Sequence, residues 1–199
     1  MIEQKLLDSG ISLIAGVDEA GRGACAGPLV VAALILKDLR DSTLSQVTDS
    51  KLLSPGERER LYEIVLENAL SHAVIAISPE EIDKRGLHNS NIEGMRRAIN
   101  ALNVSPEYVL TDGYEVPGIA LPSLAVWKGD QVALCISAAS IVAKVYRDRL
   151  MNELDAEYPD YGFAGHKGYV TKIHTEAMEK FGITPIHRKS YSNVAKLIR

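Results

Sequence analysis

Asp18 and Glu19 stand side by side at the end of a strand-like, Val- and Ala-rich run and open directly onto Gly21-Arg22-Gly23. Adjacent carboxylates are costly to bury unless a cation or hydrogen bonds compensate, and glycines beside them let a backbone approach a ligand closely. Two more aspartates sit at similar punctuation: Asp112 closes Tyr108-Val109-Leu110-Thr111 before Gly113, and Asp130 follows Gly129 at the head of a long helical pattern. Oxygen donors suit Mg²⁺ or Mn²⁺ better than zinc, and several carboxylates around two such ions are the arrangement used for in-line phosphodiester displacement. Successive strand side chains point to opposite faces, so at most one of Asp18 and Glu19 aims directly at the point its neighbours share. Each acid has a plainer reading. Asp130 is placed to cap a helix, and Asp112-Gly113 equally describes a turn. The glycine loop is not a nucleotide-phosphate loop, because no Lys-Ser or Lys-Thr follows its glycines.

Other residues could grip a phosphate backbone. Ser137, Ser140 and Lys144 recur at spacings of three and four, which puts two hydroxyls and an ammonium along one helix face; the same pattern describes a partly solvated helix side. Asp49-Ser50-Lys51 and His187-Arg188-Lys189 are further candidates. His166, His174 and His187 are too irregularly spaced for a zinc set.

The elements that must position these groups can be read in outline. Residues 11–18 and 28–37 form two strands joined by the glycine-rich loop, close enough to pair antiparallel. Three helix starts are marked by Ser with Glu three residues later, at Ser54, Ser78 and Ser90, the first two with Pro at the first helical position. Short strands are predicted over 72–77 and 108–111, a long helix from Asp130 to about Tyr158, and a further helix near 171–181. Strands followed by mixed strands and helices indicate an α/β or α+β domain with a mixed sheet covered by helices.

Composition narrows the class. The 199 residues, 46% hydrophobic, suffice for one sizeable core. No apolar run approaches the ~18 residues that span a bilayer, and Met1-Ile2-Glu3-Gln4-Lys5 lacks the order of a secretion signal, so a cytoplasmic location without membrane contact is expected. Cys25 and Cys135 read as reduced packing residues. The net charge of −4 hides a split: residues 1–166 carry fifteen basic and twenty-four acidic side chains, residues 167–199 seven basic and two acidic. A basic tail on an acidic body permits phosphate binding without requiring it.

The ordered series GVDEAGRG (16–23), AGPLVVAA (26–33), DSKLL (49–53), TDG (111–113), KGD (128–130), SAASIVAKVYRD (137–148), YPDYGFAGHKGYVTKIH (158–174) and HRKSY (187–191) closely resembles bacterial ribonuclease HII, the type 2 ribonuclease H, across most of the chain. The resemblance implies a ribonuclease H-like α/β fold, with a five-stranded mixed sheet flanked by helices. It divides one structural domain into a catalytic core, residues 1–158, and a small helical extension, residues 159–199. It also identifies Asp18, Glu19, Asp112 and Asp130 as carboxylates holding Mn²⁺ or Mg²⁺, two ions during catalysis. The implied substrates are RNA/DNA hybrids, cut in the RNA strand, and duplex DNA, incised 5′ of an embedded ribonucleotide. The products carry a 3′-hydroxyl and a 5′-phosphate.

By the same resemblance, the backbone of Gly21, Arg22 and Gly23 reads the ribose 2′-hydroxyl and Tyr169 stacks on the following deoxyribose. Ser140, Lys144 and Lys51 contact phosphates. Three departures stand out: Ala24-Cys25 where a proline and an aliphatic residue are common, Tyr114 where Asn is frequent, and Gln131 in place of a small residue. A monomer is expected, and Ala195-Lys196-Leu197-Ile198-Arg199 shows no motif for recruitment by a sliding clamp. The rival readings are a DNA-only nuclease of the same superfamily, a non-catalytic nucleic-acid binder and a small-molecule hydrolase; the ribose-reading loop, the intact acids and the phosphate-contact face respectively argue against them.

Overall fold

The computed structural model describes residues 2–198; Met1 and Arg199, the ends of the two terminal segments, lie outside the described residues. In chain order, helix α1 (Ile2–Asp8) precedes strands β1 (Ile14–Ala20) and β2 (Leu29–Leu36). Two 3₁₀ turns, Ser42–Gln46 and Ser50–Leu52, lead to α2 (Pro55–Asn68), β3 (Ala69–Ile77), α3 (Pro79–Arg85) and α4 (Leu87–Asn100). Then come β4 (Tyr108–Asp112), β5 (Ser123–Val126), the short α5 (Gly129–Val132) and the long α6 (Leu134–Glu157). Helices α7 (Phe163–His166), α8 (Lys172–Phe181) and α9 (Ser192–Ala195) complete the chain.

The five strands form one mixed sheet in the order β3-β2-β1-β4-β5. β1 runs antiparallel to β2, and β2 to β3, whereas β4 lies parallel to both β1 and β5. β2 explains why the sheet is a two-sided core. Its sequence, LVVAALIL, is apolar throughout and wholly buried, as a strand covered on both faces must be. Val30, Ala32, Leu34 and Leu36 pack on Ala138, Ala139, Val142 and Ala143 of α6. The alternate residues Val31, Ala33 and Ile35 pack on Met95, Ala98 and Ile99 of α4.

β1 approaches α6 more closely still. A Cβ at Gly16 would lie 2.1 Å from the Cys135 carbonyl carbon, so the absence of a side chain sets the distance between strand and helix. After α6 the chain folds back, and Tyr161, Phe163, Ala177, Met178 and Val194 pack around Cys25, Ala26 and Met151. Both cysteines are free and buried. No helix among the described residues is long and apolar enough to cross a membrane.

The serine signals hold at two of three positions. Ser54 closes a full capping box with Glu57, and Ser78 accepts from the Glu81 amide. Ser90 does not start a helix. α4 begins at Leu87 because Gly86, at φ 78°, supplies the turn after α3, and Ser90 is buried within α4 itself.

The long helix expected from Asp130 is in fact two pieces. Ala133, extended at φ −132° and ψ 118°, separates α5 from α6. Asp130 caps neither piece: Lys128 is the residue before α5, without a side-chain cap bond, and Ala133 precedes α6. Val132 and Tyr146, apolar positions at three-to-four spacing along these helices, are exposed. Neither α1 nor β5 has a sequence signal of its own. α1 is held because the buried Glu3 accepts from the Cys135 amide at the start of α6 (3.2 Å), where a carboxylate suits the helix dipole.

Gly16→Ala should lower stability by about 3 kcal/mol, because the methyl meets backbone that cannot step aside. Gly56→Ala, in the first turn of α2 with nothing within 4 Å of the new Cβ, should raise it by about 0.5 kcal/mol through the entropy of the unfolded chain. Urea denaturation of both variants checks the pair.

Candidate active site

The parallel pairing of β1 and β4 brings the acids together. Val17 is in register with Thr111, so the next residues, Asp18 and Asp112, emerge at the same level of neighbouring strands. Glu19 follows Asp18 and turns to the opposite face, and its amide donates to Asp18 Oδ1 (2.7 Å). Asp112 Oδ1 accepts from the Gly129 amide (2.7 Å), which ties the end of β4 to α5 and swings Asp130 toward the group. A left-handed Lys128 (φ 53°) makes that tight turn.

Burial is the leading influence on this corner, and charge crowding adds to it. Burial pushes the Asp18 carboxyl well above its ordinary value, and Glu19, Asp112 and Asp130 push it further. Burial, with the Asp112 charge, raises Glu19 to about 7. Arg22 and Lys51 pull Glu19 back, as does Asn91 of α4, which lies close although neither of its amide atoms makes a hydrogen bond of good geometry. Glu19 Oε2 is itself buried without a partner among the described residues. Asp112 is raised by burial and Asp130, against the pull of the Gly129 amide.

The cation nearest this group is Lys51, whose Nζ lies 3.2 Å from Asp130 Oδ2. Burial would lower its pKa, but Asp130, Asp49 and Asp18 reverse the direction. Lys51 and Arg22 against four acids leave the corner short of positive charge. An all-oxygen donor set in that condition fits hard divalent cations. The fit is one of charge and donor type. Among the described residues no three acid, histidine or cysteine side chains already surround one ion position.

A cleft of about 270 Å³ collects most of the residues singled out in the sequence: Asp18, Glu19, Gly21, Arg22, Gly23, Lys51, Asp112, Ser140, Lys144 and Tyr169. Asp130 lies just outside, joined through Lys51. A larger cavity of about 720 Å³ runs between α1, residues 39–48 and α5. Asp130 is the only one of the four acids to line it, so the chemistry belongs to the smaller cleft.

Within the cleft, Ser140 Oγ lies 2.7 Å from Ser50 Oγ, and Lys144 is held by Asp148 (2.7 Å), with burial lowering its pKa. The Arg22 guanidinium stacks over Tyr114 at 4.6 Å, which gives the unusual tyrosine a structural role. The Tyr169 ring stands beside Gly23.

Ser137, His187 and Arg188 do not behave as phosphate contacts, whereas Lys189 beside them is exposed. Ser137 Oγ turns inward and donates to the Asp130 and Ala133 carbonyls. His187 and Arg188 are fully buried. Arg188 donates to the Gly27 and Arg22 carbonyls, and the Tyr191 hydroxyl also reaches the Arg22 carbonyl (2.6 Å).

Arg147, which was not among the residues singled out in the sequence, does the same work from α6, donating to the carbonyls of Pro28, Lys167 and Ala26. Together the two arginines hold the loop after β1 from beneath. Gly21 must lack a side chain, since its Cβ would fall 1.8 Å from Arg147 Nε. A signal for Arg147 did exist: a charged residue continuing the four-residue spacing of Ala139 and Ala143 into Met151.

A family model of Ribonuclease HII matches residues 15–194. A Ribonuclease HII from Salinispora arenicola is 54% identical over 194 residues, covering 98% of this chain and 72% of that protein. Among solved structures, ribonuclease H2 from Pyrococcus horikoshii OT3 superposes with a TM-score of 0.80 at 30% identity, covering 92% of this chain and 96% of that one. The PCNA:RNase HII complex from Archaeoglobus fulgidus gives 0.78 at 30% identity, with 90% and 95% covered.

The raised acids predict how the metal-free protein responds to pH. A carboxyl whose folded pKa is near 7 rather than 4.5 favours the folded state below 4.5, and this contribution is lost as pH rises through 7. The melting temperature of chelator-treated protein should therefore fall between pH 6 and pH 8, and Glu19→Gln should flatten the fall. Millimolar Mg²⁺ or Mn²⁺ at pH 8 should raise the melting temperature of the parent protein more than that of Asp18→Asn. Scanning calorimetry reads all three.

Proposed function

The chain belongs to the ribonuclease HII family and is a nuclease of the hydrolase class; on that premise we propose that it cuts the RNA strand of RNA/DNA hybrids and incises duplex DNA 5′ of a single embedded ribonucleotide. One observation carries this reading. Asp18, Glu19 and Asp112 line a cleft, with Asp130 at its edge, that also contains a glycine loop with its carbonyls tied back and an exposed tyrosine ring.

Asp18, Glu19, Asp112 and Asp130 would hold two divalent ions, Mg²⁺ or Mn²⁺. Such ions supply a water of lowered pKa and offset the charge that develops on the leaving 3′-oxygen. The remaining work belongs to the chain. Arg147, Arg188 and Tyr191 engage loop carbonyls from within, which leaves the backbone of Gly21, Arg22 and Gly23 free to approach a ribose 2′-hydroxyl, the group that distinguishes RNA from DNA. Tyr169, beside Gly23, is suited to stack on the next sugar and so to favour an RNA-to-DNA junction. Ser140 and Lys144 line the same cleft and contact phosphates. Lys51, now paired with Asp130, would serve as a third phosphate contact. Hydrolysis leaves a 3′-hydroxyl and a 5′-phosphate.

In this reading residues 1–158 are the catalytic core and residues 159–199 an extension that supplies Tyr169 and Arg188. The protein acts as a cytoplasmic monomer. The Archaeoglobus complex makes a sliding clamp a candidate partner, although the residues preceding Arg199 carry no motif for it.

Labelled duplexes containing one ribonucleotide, no ribonucleotide or a full RNA strand test the proposal with Mg²⁺, Mn²⁺ or chelator. Incision is expected 5′ of the ribonucleotide and along the hybrid, dependent on metal, with the all-DNA duplex untouched; binding without turnover would support the non-catalytic rival. Asp18→Asn should lower turnover by ~10³-fold or more while circular dichroism stays native. Tyr169→Ala should weaken incision at the single ribonucleotide about tenfold more than cleavage of the hybrid. Equal losses on both substrates would remove the junction-reading role.

A further inference from the structure

Three histidines lie together beneath Tyr169, away from the acids. His174 and His187 are fully buried, with their Nε2 atoms 3.0 Å apart. His166 stacks on His174 at 4.4 Å, and Phe163 meets both buried rings edge-on or tilted at 5.4 and 5.8 Å.

The protons in this group are fixed by groups that have no choice. The Thr184 amide can only donate, and it points at His187 Nδ1 (2.9 Å), so that nitrogen carries no hydrogen and Nε2 does. The His187 Nε2–H then faces His174 Nε2, which must accept. His174 is therefore protonated on Nδ1, which lies 3.0 Å from the Tyr169 carbonyl, a group that can only accept.

His166 obeys the same logic. Its Nδ1 accepts from the Gly168 amide (3.2 Å) while Nε2–H donates to the Tyr161 carbonyl (2.8 Å). The two buried rings, His174 and His187, are neutral in this arrangement. An added proton would set two Nε2–H groups against each other at 3.0 Å, and burial with the neighbouring ring lowers the pKa of His187 to about 4. The Gly168 amide and the Tyr169 carbonyl are thus each held by an imidazole, on either side of the Gly168–Tyr169 peptide link.

We propose that His174 and His187 are positioning residues for Tyr169: a one-way chain of hydrogen bonds from the Thr184 amide to the Tyr169 carbonyl sets where the tyrosine ring stands beside Gly23, and hence how well the site selects an RNA-to-DNA junction. The inference rests on the junction-reading role assigned to Tyr169, and the test separates the two. His187→Leu keeps the bulk but removes the Nε2–H donor. It should raise KM for the single-ribonucleotide duplex about tenfold with kcat nearly unchanged, and alter hybrid cleavage less than about twofold. His187→Gln, which returns a donor near the same place, should restore most of the loss. Adding His187→Leu to Tyr169→Ala should cost nothing further, because the two changes act through one contact.

Equal losses on both substrates, or losses that add, would overturn the proposal. If Tyr169→Ala alone leaves substrate preference unchanged, the junction-reading role fails and the proposed consequence of the histidine chain fails with it. Long-range ¹H–¹⁵N spectra of the unmodified protein at pH 7 test the chain itself, whether or not a variant folds. His187 should be protonated only on Nε2 and His174 only on Nδ1. The opposite tautomers, or an imidazolium at either ring, would refute it.

Discussion

Mutual repulsion among buried carboxylates is the constraint around which this protein is arranged. Asp18 and Asp112 leave adjacent parallel strands at one level, Glu19 follows within the same strand, and Asp130 is brought up on a separate turn. Left to relax, such a group would splay apart or take up protons. It cannot splay, because β1 is clamped between β2 and β4 and covered by α6 at Gly16. It does hold protons more tightly than free carboxylates, as the raised values of Asp18, Glu19 and Asp112 indicate. The scaffold stores an unfavourable charge arrangement whose natural relief is a small, hard cation.

The neighbouring loop follows the opposite policy. Buried arginines are expensive when unpaired, yet Arg147 and Arg188 donate chiefly to backbone carbonyls rather than to acids, and Arg188 Nη2 has no partner among the described residues. Carbonyl pairing leaves their charge unneutralised beneath residues 21–27. It also turns those carbonyls inward, so that one face of the loop is fixed without any side chain on Gly21 or Gly23. Acids that need a cation and cations that need no acid are thus kept about one loop apart, and the cleft between them suits a chain of sugars and phosphates.

Much of this was legible in the residues. β2 announced itself because a run such as LVVAALIL has nowhere to go but a covered strand, and Ser54 and Ser78 announced helices because their capping partners sit at fixed spacing. The four acids and the Gly-Arg-Gly loop were legible because each marks the end of an element, and the structure gathers them at one corner. What failed was whatever depended on tertiary neighbours. Ser90 has the spacing of a cap, but Gly86 had already started that helix. Asp130 has the look of a cap, but the Gly129 amide was committed to Asp112. Arg188 and His187 resemble surface phosphate contacts until the extension folds over them, and Ser137 shares a helical period with Ser140 and Lys144 although its hydroxyl turns inward.

Helix α6 joins these parts with a rigidity that its length makes specific. From Ser140 through Lys144 to Arg147 the rise is ~10 Å, and each added or deleted residue would rotate the remainder of the helix by about 100°. Its first turn packs on Gly16 and receives the turn bearing Asp130, its middle lines the cleft, and Arg147 and Met151 anchor the glycine loop and the returning chain. The helix therefore acts as a ruler between the carboxylate corner and the glycine loop. The spacing from residue 135 to residue 151 is a fixed measure, since no single-residue change of length there leaves both ends in phase.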